Sequence, residues 1–160
     1  MVDPVQKPAR IEPQVADGTG KVRLRHVAGP GAAVLLLAMV SQFEGKRNDP
    51  YLDIVKVATV CYGETRVAMR HYSDAECQDM LAAGLADFAA PVVIRNPELA
   101  GHPNQLAAAV SLAYNIGPGP RDLRDCAVPA KRKGYNCSSV ARAFSAGQWR
   151  SACDAFLKWS

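Results

Sequence analysis

Two carboxylates, Glu44 and Asp53, followed closely by the hydroxyl of Thr59, are the residues of this sequence whose types and spacing could do chemistry together. Breaking a glycosidic bond requires one carboxylic acid to protonate the leaving oxygen and a second carboxylate to activate water or attack the sugar. The two acids must therefore reach one cleft from different backbone elements. Glu44 falls at the predicted end of a helix, where the negative end of the macrodipole and apolar neighbours such as Phe43 disfavour its ionised form, as a general acid requires. Asp53 falls at the start of a β segment, in polar surroundings that favour its charge. The Thr59 hydroxyl, on the next strand, could hold a water beside Asp53. Taken singly, each has an ordinary reading: a solvated acid at a helix end, a turn aspartate and a threonine that favours strands.

The elements that must position these groups follow from periodicity. Val34, Leu37, Ala38 and Ser41 fall at helical spacing from Gly31 until Gly45 supplies a stop. From Tyr51 to Tyr62, β-branched and aromatic residues closed by Gly63 predict a short hairpin or meander. Ser73 and Glu76 form a capping box, and Cys77, Leu81, Leu85 and Phe88 make one apolar stripe that Pro91 should end. A further helix should follow Pro103, carry Leu106, Val110, Ala113 and Tyr114, and stop at Gly117-Pro118-Gly119-Pro120. Two short helices complete the pattern, one capped by Ser138 and burying Val140 and Phe144, the other lined by Trp149, Cys153 and Phe156. The expected class is α+β, mainly α, with two lobes: a small β-rich lobe after a first helix, then a helical lobe. Residues 1–30, rich in proline and glycine among polar residues, read as a tail or disordered linker, leaving 31–160 as one catalytic domain.

Composition narrows the partners. A chain of 160 residues that is 49% apolar can bury one core, and its formal charge of +4 suits the approach to an anionic polymer. No run of Lys and Arg interleaved with aromatics marks a nucleic-acid face. Five cysteines without CxxC spacing, beside three histidines, argue against a metal site and for disulfides in an oxidising space. Five choices of the odd cysteine and three pairings of the rest leave 15 connectivities open. The apolar run Val27–Val40 is broken by Gly29, Pro30 and Gly31 and falls short of the roughly 20 residues of a spanning helix, so no stable membrane span is expected. A weakly anchored export segment is the minority alternative.

The stretch Glu44-Gly45-Lys46-Arg47, Tyr51-Leu52-Asp53-Ile54-Val55 and Ala58-Thr59-Val60-Cys61-Tyr62-Gly63-Glu64-Thr65 resembles the signature of the phage-type lysozymes, glycoside hydrolase family 24, which spaces its Glu, Asp and Thr as Glu-x8-Asp-x5-Thr. Downstream, Tyr72-Ser73-Asp74-Ala75-Glu76-Cys77 looks like the family's helix start. Ser111-Leu112-Ala113-Tyr114-Asn115-Ile116-Gly117-Pro118-Gly119 is similar to its Tyr-Asn-x-Gly-x-Gly segment, and Asn136-Cys137-Ser138-Ser139 with Ala152-Cys153-Asp154 to cysteine-bearing endolysins of lambdoid phages. The resemblance covers roughly residues 32–160. It implies a muramidase that cuts the β-1,4 bond between N-acetylmuramic acid and N-acetylglucosamine for host lysis. Glu44 would be the acid, Asp53 the base or electrostatic partner and Thr59 the water-positioning residue, with Thr65, Tyr114 and Asn115 on the substrate. Neither cofactor nor metal is implied. The implied partners are peptidoglycan glycan strands, with no nucleic acid, and the protein should be a monomer. It would wait in the host cytoplasm and act in the periplasm on the cell wall. If it inverts, as the best-known members do, the two carboxyl groups should stand roughly 6.5–9.5 Å apart.

Within the signature, Lys56 stands where the family has a turn glycine, Ala58 where it has an aromatic residue, and Glu64 where it has a histidine. A positive φ at Lys56 would cost on the order of 1 kcal/mol, and a charged Glu64 near the site would raise the pKa of a neighbouring acid. The chain ends at Lys158-Trp159-Ser160, where the family continues into a Gly-rich turn and another helix, which suggests a shortened helical lobe. The segment from Arg121 to Tyr135, longer than its family counterpart, reads as a basic surface loop with Cys126 and Cys137 at its ends. Beside the resemblance, the expected pairs are Cys61 with Cys77 and Cys137 with Cys153, with Cys126 free. Two alternatives stand beside the hydrolase. One is a lytic transglycosylase, which needs a single acid. The other is a lysozyme-fold module of a phage particle that binds peptidoglycan without cutting it.

Overall fold

Residues 19–159 are described by the computed structural model of the chain. The order of elements is α1 (Thr19–Ala28), α2 (Pro30–Glu44), β1 (Arg47–Leu52), β2 (Ala58–Cys61), α3 (Asp74–Arg95), α4 (Pro103–Ile116), α5 (Ser139–Ser145) and α6 (Trp149–Phe156), with short 3-10 turns between α3 and α4, through 123–137 and after α6. The β lobe is a two-stranded antiparallel sheet in which Leu52 faces Ala58 and Tyr51 faces Thr59. The other regular elements among the described residues are helical.

The largest difference from the sequence reading lies before residue 31. Thr19–Ala28 is a helix rather than part of a linker, and it buries Leu24 completely against α3. Composition hid this, because the apolar face of α1 is narrow and its start is capped from a distant residue. The buried carboxylate of Asp79, on α3, accepts from the backbone amides of Lys21 at 3.1 Å and Gly20 at 3.4 Å. Such an acceptor satisfies amides that a helix start leaves unpaired. The remainder of the expected tail, residues 1–18, lies outside the described residues.

In α2 the extent follows the periodicity, but the face does not. Ala32, Ala33, Leu36 and Val40 are buried, whereas Val34 and Ala38 are exposed. In an almost wholly apolar run, several stripes have helical spacing and the pattern cannot choose among them. α3 opens on the expected capping box, with Ser73 Oγ accepting from the Glu76 amide and the Glu76 carboxylate accepting from the Ser73 amide. It does not stop at Pro91. The helix continues to Arg95, since a proline removes one helical hydrogen bond and leaves the rest of the ladder in place. α4 begins at Pro103 and stops at Gly117, and Ser138 caps α5 through the Ala141 amide at 3.0 Å.

Among the described residues, α3 is the one helix long and apolar enough to cross a membrane, and half of its most apolar window is buried inside the protein. α1 and α2 pass the same test only together, and they are bent by 119° at Gly29.

Between α4 and α5 the chain folds back on itself. The amides of Tyr135 and Asn136 donate to the carbonyls of Gly117 and Pro118 at 2.8 and 2.9 Å. Gly119 and Gly134 then pass so close that a β-carbon on either would collide with the backbone of the other segment. The loop is pinned by a disulfide between Cys126 and Cys137, and a second joins Cys61 to Cys77. The pairing of Cys137 with Cys153 is thus corrected. The 3-10 turns of 123–131 return Cys126 to within 5.3 Å, Cα to Cα, of Cys137, while Cys153 sits on the outer side of α6, exposed and unpaired.

Candidate active site

A cavity of about 350 Å³ lies between the β lobe and the helices, with Glu44 on its wall. Glu44 is the last residue of α2, and Gly45 ends the helix with φ 62°, a conformation that suits glycine. Across from it, β2 delivers Cys61, and the turn that follows delivers Tyr62, Gly63, Glu64, Thr65 and Arg66. Gly63 lies beside the acid with φ 83°, a left-handed conformation that suits glycine, and a β-carbon there would make only an ordinary contact, 3.8 Å, with Glu44 Oε2. The floor comes from α3 and α4, where Phe88 and Tyr114 meet edge to face at 5.2 Å. Asn115 completes the rim and donates to the carbonyl of Ser111 at 3.0 Å.

Of the six site residues read from the sequence, Glu44, Thr65, Tyr114 and Asn115 line this one cavity, and Asp53 and Thr59 do not. The latter pair lies at the far end of the hairpin. Asp53 Oδ1 accepts from the amides of Val55 and Val57, both at 2.9 Å, and so ties the turn between β1 and β2. Thr59 is buried, and its hydroxyl donates to the Val57 carbonyl at 2.9 Å.

The apolar setting expected around Glu44 is absent: Phe43 is 84% exposed and points away from the protein, and Glu44 is itself exposed. A residue at the end of an outward-turning helix cannot be desolvated by its chain neighbour. Glu64 likewise carries its own counter-charge. Its Oε1 accepts from Arg66 Nε at 2.9 Å and from the amides of Thr65 and Arg66, and its Oε2 accepts from Arg66 Nη2 at 3.0 Å. A carboxylate so held gives little field at a neighbouring acid. Lys56 does adopt the left-handed conformation, with φ 61°.

Arg66 and Phe88 are cavity residues that the sequence reading did not single out. Arg66 was legible as a cation two residues after Glu64. Phe88 belonged to the α3 stripe, but nothing in a stripe says which member ends at a cavity.

A second groove, of about 1080 Å³, runs along α3 between α1 and the 118–123 segment and shares Glu64, Arg66, Met80 and Gly84 with the first. No group of three or more metal-binding side chains occurs among the described residues.

Residues 41–160 match the family model described as phage lysozyme. The SAR-endolysin of Bacteriophage PS119 is 30% identical over 122 residues, covering 73% of this chain and 63% of that protein. The SAR-endolysin of Enterobacteria phage P21 is 31% identical over 122 residues, covering 73% and 64%. The chain therefore spans somewhat less than two thirds of the length of these relatives. Among solved structures, the active form of the P1 phage endolysin Lyz aligns with a TM-score of 0.42 at 19% identity, over 88% of this chain and 79% of that one. With three quarters of its length matching the family model, the chain belongs to the phage lysozyme family.

Proposed function

We propose that the domain within residues 31–160 hydrolyses peptidoglycan, cutting the β-1,4 bond between N-acetylmuramic acid and N-acetylglucosamine. Glu44 protonates the leaving oxygen, and Thr65, Tyr114 and Asn115 hold the glycan. The observation that carries the reading is the convergence of Glu44 and these three residues, from α2, the turn after β2 and α4, on one cavity in a member of the phage lysozyme family. Asp53 is the candidate second carboxylate and Thr59 its water-ordering partner, roles that require both side chains to leave the hairpin contacts they make here. The protein acts as a monomer on the cell wall from the periplasmic side; the endolysin names of its relatives support the lytic role alone.

Clearing of permeabilised cells tests the assignment of the acid. Glu44→Gln should slow clearing by about a hundredfold or more, the usual worth of a general acid. Equal clearing by the wild type and this variant would exclude Glu44. A second reading is favoured by the position of Asp53 outside the Glu44 cavity: a lytic transglycosylase uses one acid and lets the 6-hydroxyl of the muramic sugar attack in place of water. Mass spectrometry of the released fragments separates the two, because only transglycosylation leaves anhydro-muramic ends.

A further inference from the structure

The groove along α3 adjoins the Glu44 cavity over a shared wall of Glu64, Arg66, Met80 and Gly84. A muramic acid unit held beside Glu44 carries a branch, the stem peptide joined to its lactyl group, and that branch needs a place beyond the sugars. The groove has the length for it. Gly84 is the last α3 residue common to both spaces, and Arg95, on the groove wall, lies about 17 Å further along the helix at 1.5 Å per residue. An extended stem of four residues spans about 14 Å.

The charge at the far end suits an anion. Each carboxylate on the groove wall is already occupied: Asp79 by the amides of Gly20 and Lys21, Asp87 by Arg23 at 2.6 Å, and Glu64 by Arg66. Arg95 and Arg121 line the same groove with no carboxylate partner among the described residues. Arg95 is held in place by donating to the Asn136 carbonyl at 3.3 Å and to the Ser145 hydroxyl, and Arg121 is exposed. A stem peptide is an acidic peptide, with free carboxylates at its glutamate and its C-terminus. Ile94 and Leu123, exposed at the same end, suit its alanine methyl groups.

Asn136 points to a ligand independently. It lies on the groove wall and is only 7% exposed, and its Nδ2 donates to the Pro120 carbonyl at 2.9 Å. Its Oδ1 has no hydrogen-bond partner among the described residues. A buried acceptor left unpaired is costly, and a peptide amide is the kind of donor it lacks.

We propose that this groove holds the stem peptide of the bound glycan, with Arg95 and Arg121 on its carboxylates. The proposal rests on the peptidoglycan reading above and adds the acidic branch to what the protein recognises.

Two substrates test it: glycan strands bearing their stem peptides, and the same strands after an amidase has removed them, with soluble fragments followed by chromatography. Wild type should show kcat/KM about tenfold higher on the peptide-bearing strands, since binding of a remote branch is available to that substrate alone. Arg121→Gln should raise KM about fivefold on those strands and narrow the difference between the two substrates, and Arg121→Lys should recover part of it. Equal kcat/KM of the wild type on both substrates would overturn the assignment of the groove and leave the hydrolase reading standing. So would an Arg121→Gln variant that is unchanged on peptide-bearing strands, or impaired alike on both. Turnover of neither substrate by the wild type would overturn the two readings together.

Discussion

Asp53 and Thr59 share one acceptor: the amide of the first, at 3.0 Å, and the hydroxyl of the second, at 2.9 Å, both donate to the carbonyl of Val57. Asp53 is thus a structural residue of the hairpin whatever else it does, and the two roles can be separated. Asp53→Asn keeps an oxygen for the Val55 and Val57 amides, so urea unfolding should stay within about 0.5 kcal/mol of wild type. Asp53→Ala removes that acceptor and should cost about 1–2 kcal/mol. Clearing activity should fall in both. Wild-type clearing by Asp53→Asn would leave the carboxylate with only its turn to make.

Lys56 should be replaceable with profit. Its φ of 61° is a conformation that a side chain resists and glycine does not. Lys56→Gly is expected to stabilise the protein by about 1 kcal/mol, net of glycine's greater freedom in the unfolded chain. A thermal midpoint equal to or below wild type by calorimetry would show that the turn holds no such strain.

Acid should loosen the start of α3 in a defined window. The Ser73 amide, then the Arg70 guanidinium, hold the Glu76 carboxyl down at about 2, against an ordinary value of 4.5. A depressed folded value means that the stabilisation is complete above the unfolded value and is lost as pH falls from there toward 2. Glu76→Gln preserves the capping geometry without the charge. It should flatten the fall of the thermal midpoint between those limits, and an unchanged pH profile would assign the effect to other carboxylates.

Asp79 should decide whether α1 stays docked. Asp79→Ala leaves the amides of Gly20 and Lys21 without their acceptor and should cost about 1–3 kcal/mol. Hydrogen exchange should rise at those two amides first. Unchanged exchange would mean that α1 is held by its apolar face alone, Leu24 foremost.

Much of this fold could be read from local chemistry. The capping box at Ser73, the stop at Gly117 and the cap at Ser138 each involve residues within a few positions of one another, and the structure has all three. What sequence could not supply was long-range. α1 needs an acceptor from Asp79, the face of α2 is selected by what packs on it, and the partner of Cys137 depends on how 123–131 turns. The candidate site divides along the same line. Thr65, Tyr114 and Asn115, named through the family resemblance, meet Glu44 at one cavity, while the position of Asp53 and Thr59 depends on the angle of a hairpin that no local rule sets.

The crossing of Gly119 and Gly134 carries a last implication. A β-carbon on Gly119 would strike the Lys133 carbonyl and one on Gly134 the backbone of Gly117 and Gly119, and both have positive φ, so neither position has a neutral substitution and a change at one cannot be rescued by a side chain at the other. The final glycine of the Tyr-Asn-x-Gly-x-Gly run therefore reports where two stretches of chain overlap and says nothing about sugar chemistry. Selection on that letter of the motif would persist in a protein that had lost every catalytic group.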